Sequence, residues 1–324
     1  MKAALCRRYG SPEVISLEET AIPILGDDDV LVEVRAASVN AADMHLMHGY
    51  PFPVRLAMGL TARKNPKSGC DFSGVISRVG KNVSGMKPGD AVFGDASSSG
   101  FGAFAQYIRM PAKLVLAKPA NFDFEQSAAL PMAAVTALKG LKEAKLAPGE
   151  RILILGATGG VGSFAVQIAK AYGANVSCVC SSLKREVVEA LKPDAIFEYD
   201  RQSITDLGQK FDVILDAAAY RPFFEYKKIL TATGRYVLAG GDFGHLLRVA
   251  ALGPIYSMLG KQKFKLFLSV PDLKLLSEVR QLAESGRLFP IIDRQFSLAE
   301  LPNAMQHIES RKTKGKIVIR VSST

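Results

Sequence analysis

The run "ILGATGGVGSF", Ile154 to Phe164, sets four glycines between an apolar, strand-like segment and a helix-like one. A glycine-rich turn that opens a helix leaves backbone N–H groups aligned with the positive end of the helix dipole, which suits a pyrophosphate. The dinucleotide fingerprint G-x-G-x-x-G is met only in part: Ala157 stands at its first position, and Gly159 and Gly162 fill the other two. Alone, the motif also fits a strand-to-helix turn whose glycines serve packing. Its place after "RILIL", before a long helix and ahead of further strand-like runs, favours the dinucleotide.

The second strand ends in "VCSSLKRE". A carboxylate at this point binds the ribose 2′-hydroxyl of NAD, but Cys180, Ser181 and Ser182 offer none, while Ser181, Lys184 and Arg185 supply donors and charge for the 2′-phosphate of NADP. NADPH is the expected cofactor. A solvated first turn of the next helix is the other reading of Lys184 and Arg185. Cys178 and Cys180 share one face of their strand, at a spacing poor for a disulfide, and read as buried thiols.

These groups need elements to hold them. Between Arg151 and about Phe289, β-branched runs alternate with helical periodicity, the pattern of a doubly wound α/β fold with a parallel sheet. Before it, short strands divided by turns such as "KPGD" suggest a mostly antiparallel, barrel-like unit, which the closing helix and strand from "LAELPNAM" rejoin. Residues 1–122 with 290–324 therefore form one expected domain and residues 123–289 the cofactor-binding one, with the site expected in the cleft between them.

The chain has 324 residues, 48% of them hydrophobic and 22% charged, which excludes a disordered protein. Its net charge of +10 comes from scattered Lys and Arg without a nucleic-acid-binding motif, so no nucleic acid partner is expected. The most apolar stretch, "HLLRVAALGPIYSMLG" from His245, is too short and too interrupted to span a bilayer; it reads as a core or pocket element, and no membrane partner is expected. Four cysteines in no zinc or disulfide spacing, with no signal peptide ahead of the first strand, suggest a cytoplasmic setting.

The stretches "AASVNAADMHLMHG", "GCDFSGVISRVGKNVSGMKPGDAVFGD", "ALPMAAVTALKGL", "ILGATGGVGSFAVQIAKAYGANV" and "KGKIVI" carry a family likeness across nearly the whole chain. The sequence resembles the zinc-independent branch of the medium-chain dehydrogenase/reductase superfamily, the quinone oxidoreductase-like proteins. Within it, the chain looks closest to a subgroup holding bacterial enone and quinone reductases and a mitochondrial reticulon-4-interacting protein. The resemblance implies a GroES-like catalytic domain, a Rossmann domain, and NADPH-dependent reduction of a quinone or an α,β-unsaturated carbonyl. It also implies a homodimer formed through the Rossmann sheet edge, for which "GRYVLAGG" is a candidate.

Carried over residue by residue, the family's pyrophosphate loop falls on Thr158, Gly159, Gly160, Val161 and Gly162, and its 2′-phosphate contacts on Ser181 and Tyr199. Thr136 matches a threonine near the nicotinamide ribose, Phe267 and Leu268 a strand end that passes the nicotinamide, and Lys312, Thr313 and Lys314 a loop that closes on the cofactor. One departure is "LKPDAIFEYD", where Lys192 and Pro193 replace a usual glycine on the path to Tyr199.

The zinc-ligand positions of the metal-using relatives fall on Asn40, Cys70 and Met132, a set unsuited to zinc, so no metal is expected. Without a Lewis acid, reduction of a conjugated acceptor is easier than alcohol oxidation, because charge spreads to a carbonyl oxygen that hydrogen bonds can hold. In "SVNAADMHLMHGYP", Asn40 is the candidate donor to that oxygen and Tyr50 the candidate proton donor, with Asp43 a structural anchor. The loop "YPFPVRLAMGLTARKNPKSG" reads as a lid. Two other functions stay open: a nucleotide-binding protein with little catalysis, in a crystallin-like or RNA-binding role, and a zinc-independent alcohol dehydrogenase.

Overall fold

Six short strands, the inner four largely buried, build the second of two units in the computed structural model, which describes residues 1–241 and 243–322. They are the strands Arg151–Leu155, Asn175–Cys180, Ala195–Glu198, Phe211–Asp216, Leu230–Leu238 and Lys263–Leu266. All pair in parallel, in the spatial order third, second, first, fourth, fifth, sixth, the order of a dinucleotide-binding sheet. Burial on both faces explains why the runs are continuous in apolar residues instead of alternating. Leu153, Leu155, Val179, Ile214, Tyr236 and Leu238 from four neighbouring strands share one core.

The order corrects one expectation. "GRYVL" lies in Leu230–Leu238, which is paired on both sides; the sheet's edge there is Lys263–Leu266. Lys192 replaces the usual glycine by taking the left-handed conformation itself, with φ of +50°. Asp194 then accepts from the Val176 N–H at 2.7 Å, and the third strand enters in register, Ala195 opposite Ser177.

The first unit comprises Met1–Met132, Val270–Glu284 and the chain from Ile292 onward. Its seven-stranded sheet is antiparallel except where Ile292–Ser297 meets Lys316–Arg320. The eleven-residue strand Asp29–Val39 is its hub, bonded along its length to Lys316–Arg320, Asp71–Val79 and Tyr107–Pro111. The unit boundary differs from the expected one in two places. Helix Phe124–Ala128 packs on this sheet, and helix Leu273–Glu284 buries Leu276, Val279, Leu282 and Ala283 in the first unit, where Asn121 donates to the Ala283 carbonyl at 3.0 Å.

The apolar stretch from His245 is also not core. It forms a continuous helix, Phe243–Leu259, that buries only His245, Val249 and Gly253. Periodicity could not reveal this, because the helix is apolar nearly all round.

Candidate functional site

In the second unit, strand Arg151–Leu155 runs into Gly156, whose φ of +77° makes the turn into helix Gly160–Ala171. The conformationally demanding glycine is thus Gly156, one residue before the fingerprint position held by Ala157. Gly162 is required for a different reason: a Cβ there would lie 2.1 Å from the Gly156 carbonyl oxygen. Gly159 caps the helix and accepts from the Ser163 N–H at 2.9 Å. The N–H groups of Gly160, Val161 and Gly162 precede that bond, beside half-buried or buried backbone, and form a cradle that fits a pyrophosphate.

At the end of the second strand, Ser181 begins a single turn, Ser182–Lys184. Tyr199 is brought beside it by its N–H, which donates to the Cys180 carbonyl at 3.1 Å, and its half-exposed ring packs against Tyr220 at 5.3 Å between centroids. Arg185 donates to Glu189 at 2.6 Å and to Glu198 at 3.1 Å, ion pairs with which a phosphate would have to compete. The sequence also hides a carboxylate. Asp200 accepts from the Ser182 N–H at 2.9 Å and from its hydroxyl at 2.6 Å, and these bonds lower its pKa.

Thr136 is buried in helix Pro131–Glu143. Three residues on, Lys139 donates to the Leu268 carbonyl at 2.8 Å and lies 5.8 Å from the Phe267 ring centre, so this helix holds the Phe267–Leu268 segment. Asp216, fully buried, accepts from the Ala218 and Ala219 N–H groups and from the Tyr236 hydroxyl at 2.7 Å, fixing the turn after the fourth strand. Burial raises its pKa.

In the first unit, three adjacent strands converge on a buried polar cluster. Asp71 opens its strand opposite Ser38, and Lys316 opens the strand on the hub's other side. The Asp71 carboxylate accepts from the Ser38 hydroxyl at 3.0 Å, the Asn40 amide at 2.9 Å and the Met132 N–H at 3.0 Å, with the Lys316 ammonium 3.5 Å away. Burial raises the pKa of Asp71, and these four donors, Lys316 foremost, act against it by favouring the ionised acid. Lys316 also donates to Asn40 Oδ1 at 2.5 Å and to the Val39 carbonyl at 3.3 Å.

Asn40 therefore has a different role from the one its sequence position suggests. Its amide protons go to Asp71 and, at 3.5 Å, to the Ser38 carbonyl, leaving none for an acceptor oxygen. Its own N–H donates to Asp43 at 2.9 Å and so starts helix Ala41–His48. That helix closes at Gly49, with φ of +62°, and Tyr50 follows with its side chain exposed. The expected lid folds partly into helix Phe52–Met58, where Arg55 packs 4.8 Å from the Tyr9 ring centre and Phe52 and Leu56 are exposed. Lys312, Thr313 and Lys314 belong to this unit and lead through Gly315, with φ of +127°, into Lys316.

The cluster does not suit zinc. Burial, and then the charges of Asp43, Asp95 and Asp71, raise the Cys70 thiol well above its usual range, and Cys70 donates to Asp43 at 3.4 Å. Lys316 occupies the Asn40 oxygen, and among the described residues no group of three or more His, Cys, Asp or Glu could hold a metal ion.

Burial raises Asp43 to about 7. A carboxyl with a raised folded pKa stabilises the fold fully below its unfolded value, about 3.9, and loses that contribution as pH rises toward the folded one. Between pH 5 and 8, Asp43→Asn should therefore gain about 2–3 kcal/mol relative to wild type. Urea melts at both pH values measure the gain; an equal difference at both would refute the raised pKa.

Comparison with known proteins gives two family-model matches, an alcohol dehydrogenase GroES-like domain over residues 26–120 and a zinc-binding dehydrogenase over residues 191–319. The chain is 33% identical to the 2-methylene-furan-3-one reductase of Solanum lycopersicum, over 98% of this chain and 79% of that protein. It is 30% identical to the chloroplastic NADPH-dependent alkenal/one oxidoreductase of Arabidopsis thaliana, with the same coverage of 98% and 79%. The solved quinone oxidoreductase of Coxiella burnetii superposes with a TM-score of 0.89 at 27% identity, covering 99% of each chain.

Proposed function

Because this chain belongs to the medium-chain dehydrogenase/reductase superfamily, among its quinone oxidoreductase-like members, we propose that it is a metal-free, NADPH-dependent reductase of a quinone or an α,β-unsaturated carbonyl. The observation that carries this reading is the Lys316 ammonium between Asn40 and Asp71, in the cluster where metal-using relatives place zinc ligands. A fixed internal cation in place of an exchangeable metal leaves no Lewis acid for an alkoxide, which favours a conjugated acceptor.

Bound nicotinamide supplies the hydride. The Gly156 turn and the first helical N–H groups orient its pyrophosphate, and Lys139 steadies the Phe267–Leu268 segment from the side of Thr136. The Asn40–Asp43 start of helix Ala41–His48 fixes where Gly49 delivers Tyr50, whose phenol is the proposed proton donor to the enolate. Exposed Phe52 and Leu56 offer apolar surface in the same segment.

The test follows NADPH loss with small quinones and alkenals, and NADP reduction by simple alcohols. Turnover of a quinone or alkenal without alcohol oxidation is expected; binding without turnover on any acceptor would favour the nucleotide-binding alternative. Tyr50→Phe should slow enone turnover about ten-fold or more with NADPH affinity unchanged, and unaltered turnover removes Tyr50 from the mechanism. For the cofactor, Ser181→Asp should favour NADH, and Asp200→Asn should favour NADPH by removing a negative charge beside Ser182. If both leave the affinity ratio unchanged, the 2′-phosphate assignment fails.

A further inference from the structure

Helix Phe243–Leu259 carries an outward face that a water-exposed helix does not ordinarily have. Leu247, Leu252, Ile255, Met258 and Leu259 are all exposed, the last two at 86% and 83%, and Arg248 is the helix's single Lys or Arg. The inner side is firmly seated: Gly253 lies so close to the edge strand that a Cβ would meet the Phe264 carbonyl at 3.1 Å, and Ser257 accepts from the Phe264 N–H at 2.8 Å. The apolar residues therefore have no route into the core.

The surroundings are basic. Between positions 226 and 271 the sequence has seven Lys or Arg and one acid, Asp242, which is outside the described residues. Three of the lysines gather at the helix's C-terminal turn. Lys227 sits 5.7 Å from the Tyr256 ring centre, Lys263 donates to the Ser257 carbonyl at 2.9 Å, and Lys261 is exposed beside them. Among the described residues, none of Lys227, Lys261 and Lys263 has an ion-pair partner, so their charge adds to the local field.

We propose that this helix is an interfacial element that lays the protein on an anionic lipid surface, its apolar face among the acyl chains and its basic rim at the headgroups. No helix of the described residues is long and apolar enough to cross a membrane. The docking is peripheral, and it revises the expectation of no membrane partner. A second copy is a poorer occupant: a two-fold contact would bring the same basic rims together. The docking rests on the helix and its charges, independent of the acceptor.

Flotation of the full chain with vesicles of phosphatidylcholine, alone or mixed with phosphatidylglycerol, tests the proposal. Wild type should float with the anionic vesicles and bind about ten-fold less to neutral ones or at high salt. Leu252→Asn combined with Ile255→Asn and Met258→Asn should cost about ten-fold in binding, as should Lys261→Glu with Lys263→Glu. Thermal melts and NADPH binding check folding of each variant, and light scattering gives its mass. Wild type that stays with the dense fraction overturns the proposal. So does a triple variant that keeps vesicle binding but falls from dimer to monomer, which would make the face a self-association surface. Should the triple variant fail to fold, the charge-reversal pair and the salt dependence decide.

Discussion

Lys316→Met is expected to destabilise the protein by about 3–5 kcal/mol at pH 7.5, because it strands a buried carboxylate. Asp71 is fully buried and Lys316 nearly so, and the ammonium is Asp71's only ion-pair partner among the described residues. Ser38, Asn40 and Met132 still donate to Asp71 in the variant, but neutral donors do not cancel its charge. The loss has a ceiling set by protonation. Neutralising a carboxyl of ordinary pKa at pH 7.5 costs about 5 kcal/mol, and about 1.4 less for each unit the pH falls. The deficit should therefore shrink to about 1–2 kcal/mol at pH 5, since a raised folded pKa returns stability as pH falls toward the unfolded value. Adding Asp71→Asn should recover most of the loss at pH 7.5, because a neutral pair has no stranded charge. Urea titrations of the single and double variants at both pH values measure this cycle. A deficit independent of pH, or not rescued by Asp71→Asn, would mean that Lys316 acts through packing alone.

Local order was legible where a residue's neighbours in sequence are also its neighbours in space. The six parallel strands announce themselves as short β-branched runs, and the glycine turn as a break between a strand and a helix. Two features needed long-range information. Asp71 and Lys316 both lie in readable motifs, but nothing in either indicates that strands 245 positions apart would set them 3.5 Å from each other. Asp200 reaches Ser182 from just beyond the next strand, 18 residues on, so the second strand's end carries no acid of its own. Helix Phe243–Leu259 failed for the opposite reason. Its apolar composition is the usual mark of burial, and only the packed fold shows that one face has nothing over it.

The loop's glycines differ in what surrounds them. Gly162→Ala should weaken NADPH binding about a hundred-fold, or about 2.7 kcal/mol. The new methyl would sit 2.1 Å from the Gly156 carbonyl oxygen and 2.9 Å from the Ala157 Cα. Both are backbone atoms, so no rotamer change relieves the clash. Helix Gly160–Ala171 must shift away from the strand end, and its first N–H groups, the proposed pyrophosphate donors, shift with it. Overpacking of this kind also costs stability, by about 1–3 kcal/mol. Gly159 supplies the control: its φ of −84° is ordinary, and a Cβ there would meet the Gly156 oxygen at 3.5 Å, normal contact. Gly159→Ala should melt within about 2 °C of wild type, so any binding it loses reports the approach of the ligand to the loop. Titration by NADPH fluorescence gives the affinities, and the cofactor's upward shift of the melting temperature, present in wild type, should disappear in Gly162→Ala. If Gly162→Ala binds NADPH as wild type does, the dinucleotide does not rest on this turn.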